Sequence, residues 1–252
     1  MKNIIIELLI ILSLTILLAC QKTKEDKVIF TSYKATGDIS PKLNDFRTSL
    51  GGLNTMPNAI GGRREINWDG VADSLLDKPL SKNFFNTVGD GVPASRQRGL
   101  IYGDGEFQVS ASKFSQVNNE AATEFAAFSG NKVFANLTAI DWPVGFQVAG
   151  ETTPASVNAF GMIFSDVDTE GSVSLEFFEA EKSIGKFFAP AHDATSKFSF
   201  LGLQFQNKKI TSVKVHHEGR IADGQKDISQ GGAKDLIVID DLIYSEPIKW
   251  QE

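Results

Sequence analysis

Apolar and polar positions alternate with a period of two through most of the second half of this chain. Phe160, Met162 and Phe164 interleave with Gly161, Ile163 and Ser165, and Val173, Leu175 and Phe177 interleave with Ser172, Ser174 and Glu176. That period puts successive side chains on opposite faces of a strand. The run Ala180-Glu181-Lys182-Ser183 predicts a turn that joins the second of these strands to 184–188 as a hairpin. Residues 198–205 form the next expected strand. Thr211, Val213, Val215 and His217 then alternate with Ser212, Lys214 and His216, and 236–244 is apolar on both faces except at Asp240 and Asp241. Strands separated by turn residues at roughly ten-residue spacing predict a mostly β protein, an antiparallel jelly-roll-like β-sandwich. No heptads, βαβ alternation or internal repeat occur, which removes solenoid and Rossmann architectures.

The first half is less regular. Between 30 and 119 the chain carries Gly51-Gly52, Gly61-Gly62, Gly89-Asp90-Gly91 and Gly103-Asp104-Gly105, each a turn signal. A short helix is expected over 71–76, stopped by Pro79, and a second over the Ala- and Glu-rich 119–128, with Gly130 behind it. The expected organisation is a signal segment over 1–19, a tether over 20–29, an irregular part over 30–130 packed on the sandwich, and the sandwich over 131–252. The stretch 30–252 is expected to behave as one structural unit.

Composition sharpens this picture. Nineteen Phe against three Tyr and three Trp, with 22 Gly, suit a Phe-packed β protein with many turns. The formal charge of −6, with no basic run, argues against nucleic acid or anionic lipid as the main partner. The N-terminus adds a location. Lys2 opens a positive region, 4–18 is apolar apart from Glu7, Ser13 and Thr15, and Leu17-Leu18-Ala19-Cys20 has the residues of a bacterial lipobox. The run is short and broken at Glu7, whereas a spanning helix needs about 20 apolar residues. Removal of 1–19 and acylation of Cys20 would anchor the protein to a membrane from outside the cytoplasm, in the bacterial cell envelope. A single-span anchor that contains a cysteine is the alternative. Gln21 is compatible with outer-membrane sorting. Cys20 is the one cysteine, so neither disulfides nor thiol catalysis are available to the rest of the chain.

Four blocks carry a resemblance: Gly61-Gly62-Arg63-Arg64-Glu65-Ile66-Asn67-Trp68-Asp69-Gly70, the run 160–168, Ser199-Phe200-Leu201-Gly202, and Asp240-Asp241-Leu242-Ile243-Tyr244-Ser245-Glu246-Pro247. Together they resemble a group of uncharacterised exported bacterial proteins. The C-terminal half is similar to the jelly-roll region of secreted proteins with sorting tails. The chain departs from those in having a lipobox and no C-terminal apolar anchor. The resemblance implies a fold and an exported location, and no activity.

The best candidate chemistry is Asp166-Val-Asp168-Thr-Glu170-Gly171, which opens like a calcium loop. The match ends at the twelfth position, which is Phe177 rather than Glu. An acidic turn between strands is the competing reading. Asp240-Asp241, inside an apolar strand, is costly to bury without a cation or strong donors. The resemblance to carbohydrate-binding jelly rolls suggests a structural calcium for such an Asp. Backbone amides or an Arg are the equal alternative. Asp166, Asp168 and Asp241 are therefore the expected calcium ligands. Glu65, Asn67 and Asp69 around Trp68 form a candidate glycan-binding face, with a core Trp and hydrogen-bonded rim as the favoured alternative. Trp142 is read as a loop aromatic with the same ambiguity. His216-His217 makes a poor metal motif because neighbours on a strand diverge. His192 sits beside Asp193 in a loop, without the dense ligand set of a zinc site. No Gly-x-Ser-x-Gly elbow is present. The leading expectation is a non-enzymatic binding protein with glycan as the first ligand class. A hydrolase or lyase acting on polysaccharide is the alternative, and a structural envelope component is the third reading.

Overall fold

A computed structural model describes residues 27–251. Cys20 and the 1–19 segment lie outside the described residues. Among the described residues, fourteen strands and one α-helix follow in the order β1 (Phe30–Thr36), α1 (Ser40–Leu50), β2 (Arg63–Ile66), β3 (Leu100–Tyr102), β4 (Phe107–Ser110), β5 (Val133–Asn136), β6 (Asp141–Phe146), β7 (Ala155–Ser156), β8 (Ala159–Ser165), β9 (Ser174–Glu179), β10 (Lys182–Phe188), β11 (Phe198–Phe205), β12 (Ser212–His216), β13 (Val238–Ser245) and β14 (Ile248–Lys249). One sheet has the order β1-β11-β8-β13-β5-β4, with β2 also paired to β13. The other has the order β10-β9-β12-β6-β3, and β14 pairs with β7. Every strand pair is antiparallel. The protein is an antiparallel β-sandwich, jelly-roll-like in that the chain crosses repeatedly between the sheets, at β2–β3, β3–β4, β5–β6, β8–β9, β10–β11, β11–β12 and β12–β13.

β8 lies at the centre of the larger sheet, and all seven of its residues are buried. Phe160, Met162 and Phe164 point between the sheets and join Trp142, Val144, Leu175, Phe177, Val213 and Val215 in the main core. Ala159 and Ile163 point outward and meet Leu43 and Phe46 of α1, together with Phe200 and Ile243. This second covering layer explains why β8 and β13 are apolar on both faces. Each fully buried Phe contributes about 1.5–3 kcal/mol. The helix can approach because Gly161 lies opposite Gly202 in the register. A Cβ on Gly161 would stand 2.8 Å from Phe46 Cε1 and 3.1 Å from Gly202 Cα.

The strands expected from alternation are present with small boundary differences. The first half departs further from the sequence reading. It supplies β1 to β4 and the helix α1, whose Leu43, Phe46 and Leu50 share a buried face with Ile39. The helix expected over 71–76 is a single 3₁₀ turn, Asp73–Leu75. Lys132 Nζ draws the carbonyls of Asp69 and Val71 toward itself, and Leu76 is already extended. The helix expected over 119–128 is also one 3₁₀ turn, Ala121–Thr123. Amides that would continue it bond to the sheet: Ala126 N donates to Ser165 Oγ and Phe128 N to Asp240.

Candidate functional site

Three loops meet beyond the C-terminal end of β8. Asp166 follows β8 directly in the left-handed region, with φ 73°. Its amide donates to the carbonyl of Lys197, just before β11. Asp235 lies two residues before β13's approach at Ile237 and accepts at Oδ2 from Asp168 N, Thr169 N and Ser172 Oγ, at 3.0, 2.9 and 2.6 Å. Asp227 caps the 3₁₀ turn Ile228–Gln230, with Oδ2 accepting from Ser229 N at 2.8 Å and Oδ1 from Leu236 N at 2.7 Å. His192 Nε2 lies 2.9 Å from Asp168 Oδ1, and Lys197 Nζ donates to Asp166 Oδ1 at 2.9 Å and to Glu124 at 2.6 Å. Four aspartates thus converge with two basic groups.

Burial sets the electrostatics here. Desolvation pushes Asp166 up to about 7, against the opposing Lys197 bond. Desolvation likewise lifts Asp235 to about 6, against its bonds from Ser172 and Thr169. Asp168 is raised by desolvation and by the neighbouring Asp227. Asp227 is desolvated too, but hydrogen bonds from Asp168 and the Leu236 and Ser229 amides hold it below the usual range. His192 is desolvated, yet its contacts with the Asp193 carbonyl and with Asp168 raise it.

Asp166 and Asp168 therefore share a site, as their spacing suggests, but Asp241 does not join them. Asp240 and Asp241 sit where β13 bulges against β8, between Ile239 and Leu242. Asp240 accepts from the Phe128 and Ser129 amides. Asp241 Oδ1 accepts from Ser129 Oγ at 2.8 Å, and its Oδ2 lies 3.6 Å from Arg47 Nη2. Amides, a hydroxyl and a guanidinium take these carboxylates, so a calcium shared by Asp241 with Asp166 and Asp168 does not fit. Desolvation, reinforced by Asp241, raises Asp240 to about 8.

The block around Trp68 is also structural. Trp68 is fully buried, stacks on Phe134 at 4.2 Å and 6°, and donates Nε1–H to the Asp240 carbonyl at 2.6 Å. No face of that ring is open to a sugar. Glu65 is held by Arg47 and Arg63, and Asp69 Oδ1 accepts from Asn131 N. Asn67 alone of the four is exposed. Trp142 is in β6, not a loop, and is fully buried. His216 and His217 diverge as alternation requires. His216 meets Asp141, while His217 is buried, bonds to the Gly219 carbonyl, and is driven by desolvation to about 4.

The third tryptophan, Trp250, was not legible as a site residue. It is half-buried, and Lys209 Nζ stands 6.0 Å from the centre of its ring. Lys209 lines a cleft of about 400 Å³ between the end of α1, the Ile60-Gly62 loop and the β7–β14 edge. Ser49, Asn158, Gln204, Glu246 and Lys249 present polar groups to it, and Ile248 adds an apolar wall. Glu246 is the one carboxylate in this lining, and Arg64 holds it at 2.7 Å in a buried ion pair.

No family model matches the chain, and no curated protein matches it. Solved structures similar to it include a family 29 carbohydrate-binding module from Piromyces equi, at 12% identity and TM-score 0.27, over 49% of this chain and 76% of that one. A mutant second module of the same family, complexed with mannohexaose, matches at 8% identity and TM-score 0.25, over 49% and 77% of the two chains. The catalytic domain of a GH87 α-1,3-glucanase, in complex with tetrasaccharides, matches at 18% identity and TM-score 0.25, over 62% of this chain and 30% of that one.

Proposed function

We propose that the protein is a non-enzymatic binding protein, lipid-anchored at Cys20 outside the cytoplasm, that takes a glycan in the cleft beside Trp250. The observation that carries this reading is the cleft itself. Its volume lies in the range of small-molecule sites, and amide, hydroxyl and ammonium groups line it in the mixture that suits a polyol. Trp250 lies outside that lining and adjoins it through Lys209, whose Nζ stands 6.0 Å from the centre of the half-buried ring. Hydrolysis calls for two carboxylates flanking the bond to be cut. The lining offers Glu246, which Arg64 already engages. That favours binding over hydrolysis at this place.

The test is a glycan array probed with the full-length protein in detergent, beside Trp250→Ala and Asn158→Ala. Wild type is expected to bind at least one glycan class, and Trp250→Ala to weaken it tenfold or more, about 1.4 kcal/mol. An array with no bound glycan removes the reading. Release of reducing ends or of an unsaturated sugar from a bound glycan would install the hydrolase or lyase alternative. Cys20→Ala is expected to leave the membrane fraction. If that variant stays with membranes at the same processed mass, the lipid anchor is wrong.

A further inference from the structure

We infer that Asp168, Asp227 and Asp235 bind one hard divalent cation, calcium being the ion of first fit, with Asp166 beside them. The inference is independent of the glycan cleft. Asp166 and Asp235 are fully buried. Asp166 Oδ2, Asp168 Oδ2 and Asp235 Oδ1 accept no hydrogen bond. Among the described residues these are the buried carboxylate oxygens without a donor, and all three belong to this cluster. The comparison within the same molecule is informative. Asp240 and Asp241 are as deeply placed, yet amides, Ser129 and Arg47 serve them. A buried carboxylate oxygen with no donor has lost its hydration without replacement, so three at one place call for a shared cation or for protons.

Spacing favours the cation. One ligand atom each from Asp168, Asp227 and Asp235 lies within 4.8 Å of the others, and the same holds for Asp166, Asp168 and His192. Oxygens at about 2.4 Å from one calcium ion stand no more than about 4.8 Å apart. Lys197 and His192 do not fill this role, because they engage Asp166 Oδ1 and Asp168 Oδ1 and leave the opposite oxygens bare. The donor set is carboxylate, which selects a hard ion over copper or zinc. The ligands come from loops rather than regular elements, with Gly171 at φ 94° and Gly231 at φ 84° giving the backbone its turns. That suits the variable geometry of calcium better than the strict octahedron of magnesium. A bound ion would tie together the loops that precede β9 and β13, a cross-link in a chain without disulfides.

The experiment uses full-length protein stripped with chelator and dialysed. Calcium, magnesium and zinc chlorides are each titrated by calorimetry, and each sample is melted. The expected result is one equivalent of calcium per chain and a Tm rise of about 5–10 °C at free calcium a hundredfold above Kd. Asp227→Asn and Asp235→Asn are each expected to weaken calcium binding at least tenfold, while Asp240→Asn keeps wild-type affinity. If the two buried variants fail to fold, Asp168→Asn, at the less deeply buried member, decides: unchanged affinity there overturns the inference. So does the absence of both heat and Tm change in wild type with all three ions, a preference for zinc over calcium, or an equal loss in Asp240→Asn.

Discussion

Trp68→Ala separates the core reading of the Gly61–Gly70 block from the ligand-binding one. The indole is fully buried, stacks in parallel on Phe134, contacts Phe85 edge-on at 5.7 Å, and donates to the carbonyl of Asp240 at the β13 bulge. Truncating a buried aromatic to Ala costs about 3–5 kcal/mol through lost transfer energy and the cavity left behind. The bulge carbonyl also loses its donor, at about 1–3 kcal/mol if water cannot replace it. The two terms overlap, since an enlarged cavity lets water reach the carbonyl, so a total near 5 kcal/mol is expected. For a chain of this size that lowers Tm by about 10–20 °C. Trp68→Phe keeps a ring on Phe134 and removes the N–H, so it isolates the hydrogen bond at about 1–3 kcal/mol. The assay is urea unfolding followed by far-UV circular dichroism, with wild-type and variant slopes compared. A Trp68→Ala variant within about 0.5 kcal/mol of wild type, but unable to bind the glycan that wild type binds, would refute the core assignment.

Two further outcomes follow from the fold. Gly161→Ala is expected to destabilise by about 1–3 kcal/mol, because its methyl group meets Phe46 and the Gly202 backbone, and hydrogen exchange should rise selectively in α1; unchanged α1 protection would contradict the packing described. Asp240 has a folded value of about 8 against an ordinary 3.8, so the folded state holds its proton more tightly. Its contribution to stability is complete below about pH 4 and is lost as pH rises through about 8. In chelator, the urea midpoint of wild type should fall between pH 5 and 8.5, and Asp240→Asn should show a shallower fall; parallel profiles would count against the shifted carboxyl.

How much of this was readable from the residues depended on whether the signal was local. β8, β9, β11 and β12 could be read because one face of each meets the other sheet and the period of two survives. β13 could be read as apolar on both faces, but not why: α1 covers the outer side, and its Leu43, Phe46 and Leu50 are scattered among Ser, Pro, Lys and Asp. The short helices were misjudged because Ala126 and Phe128 give their amides to Ser165 and Asp240, partners far along the chain. Candidate chemistry followed the same rule. Asp166 and Asp168 are two residues apart and stood out. Asp227 and Asp235 reach them from about 60 residues away, and their nearest local signal is the Gly231-Gly232 turn between them. Asp241 resembled a ligand because it is an acid in an apolar strand, but the bulge turns it toward Arg47 and Ser129.

The direction in which β1 enters the sandwich limits what the cleft can reach. Phe30 pairs with Phe205 and Thr36 with Ser199, so β1 starts at the end of β11 where Gln204 lines the cleft. Asn207 fastens that start through bonds to Ile29 N and the Lys27 carbonyl. With Cys20 as anchor, the chain from there to Phe30 spans at most about 36 Å. Under the anchor proposed above, the mouth of the cleft would stay within a few nanometres of the bilayer, and the aspartate loops would stand beyond the far end of β8, a further strand length of about 23 Å. A soluble oligosaccharide would have to diffuse down to that height. A sugar chain rooted in the same membrane would already be held there, with its local concentration raised by sharing the surface.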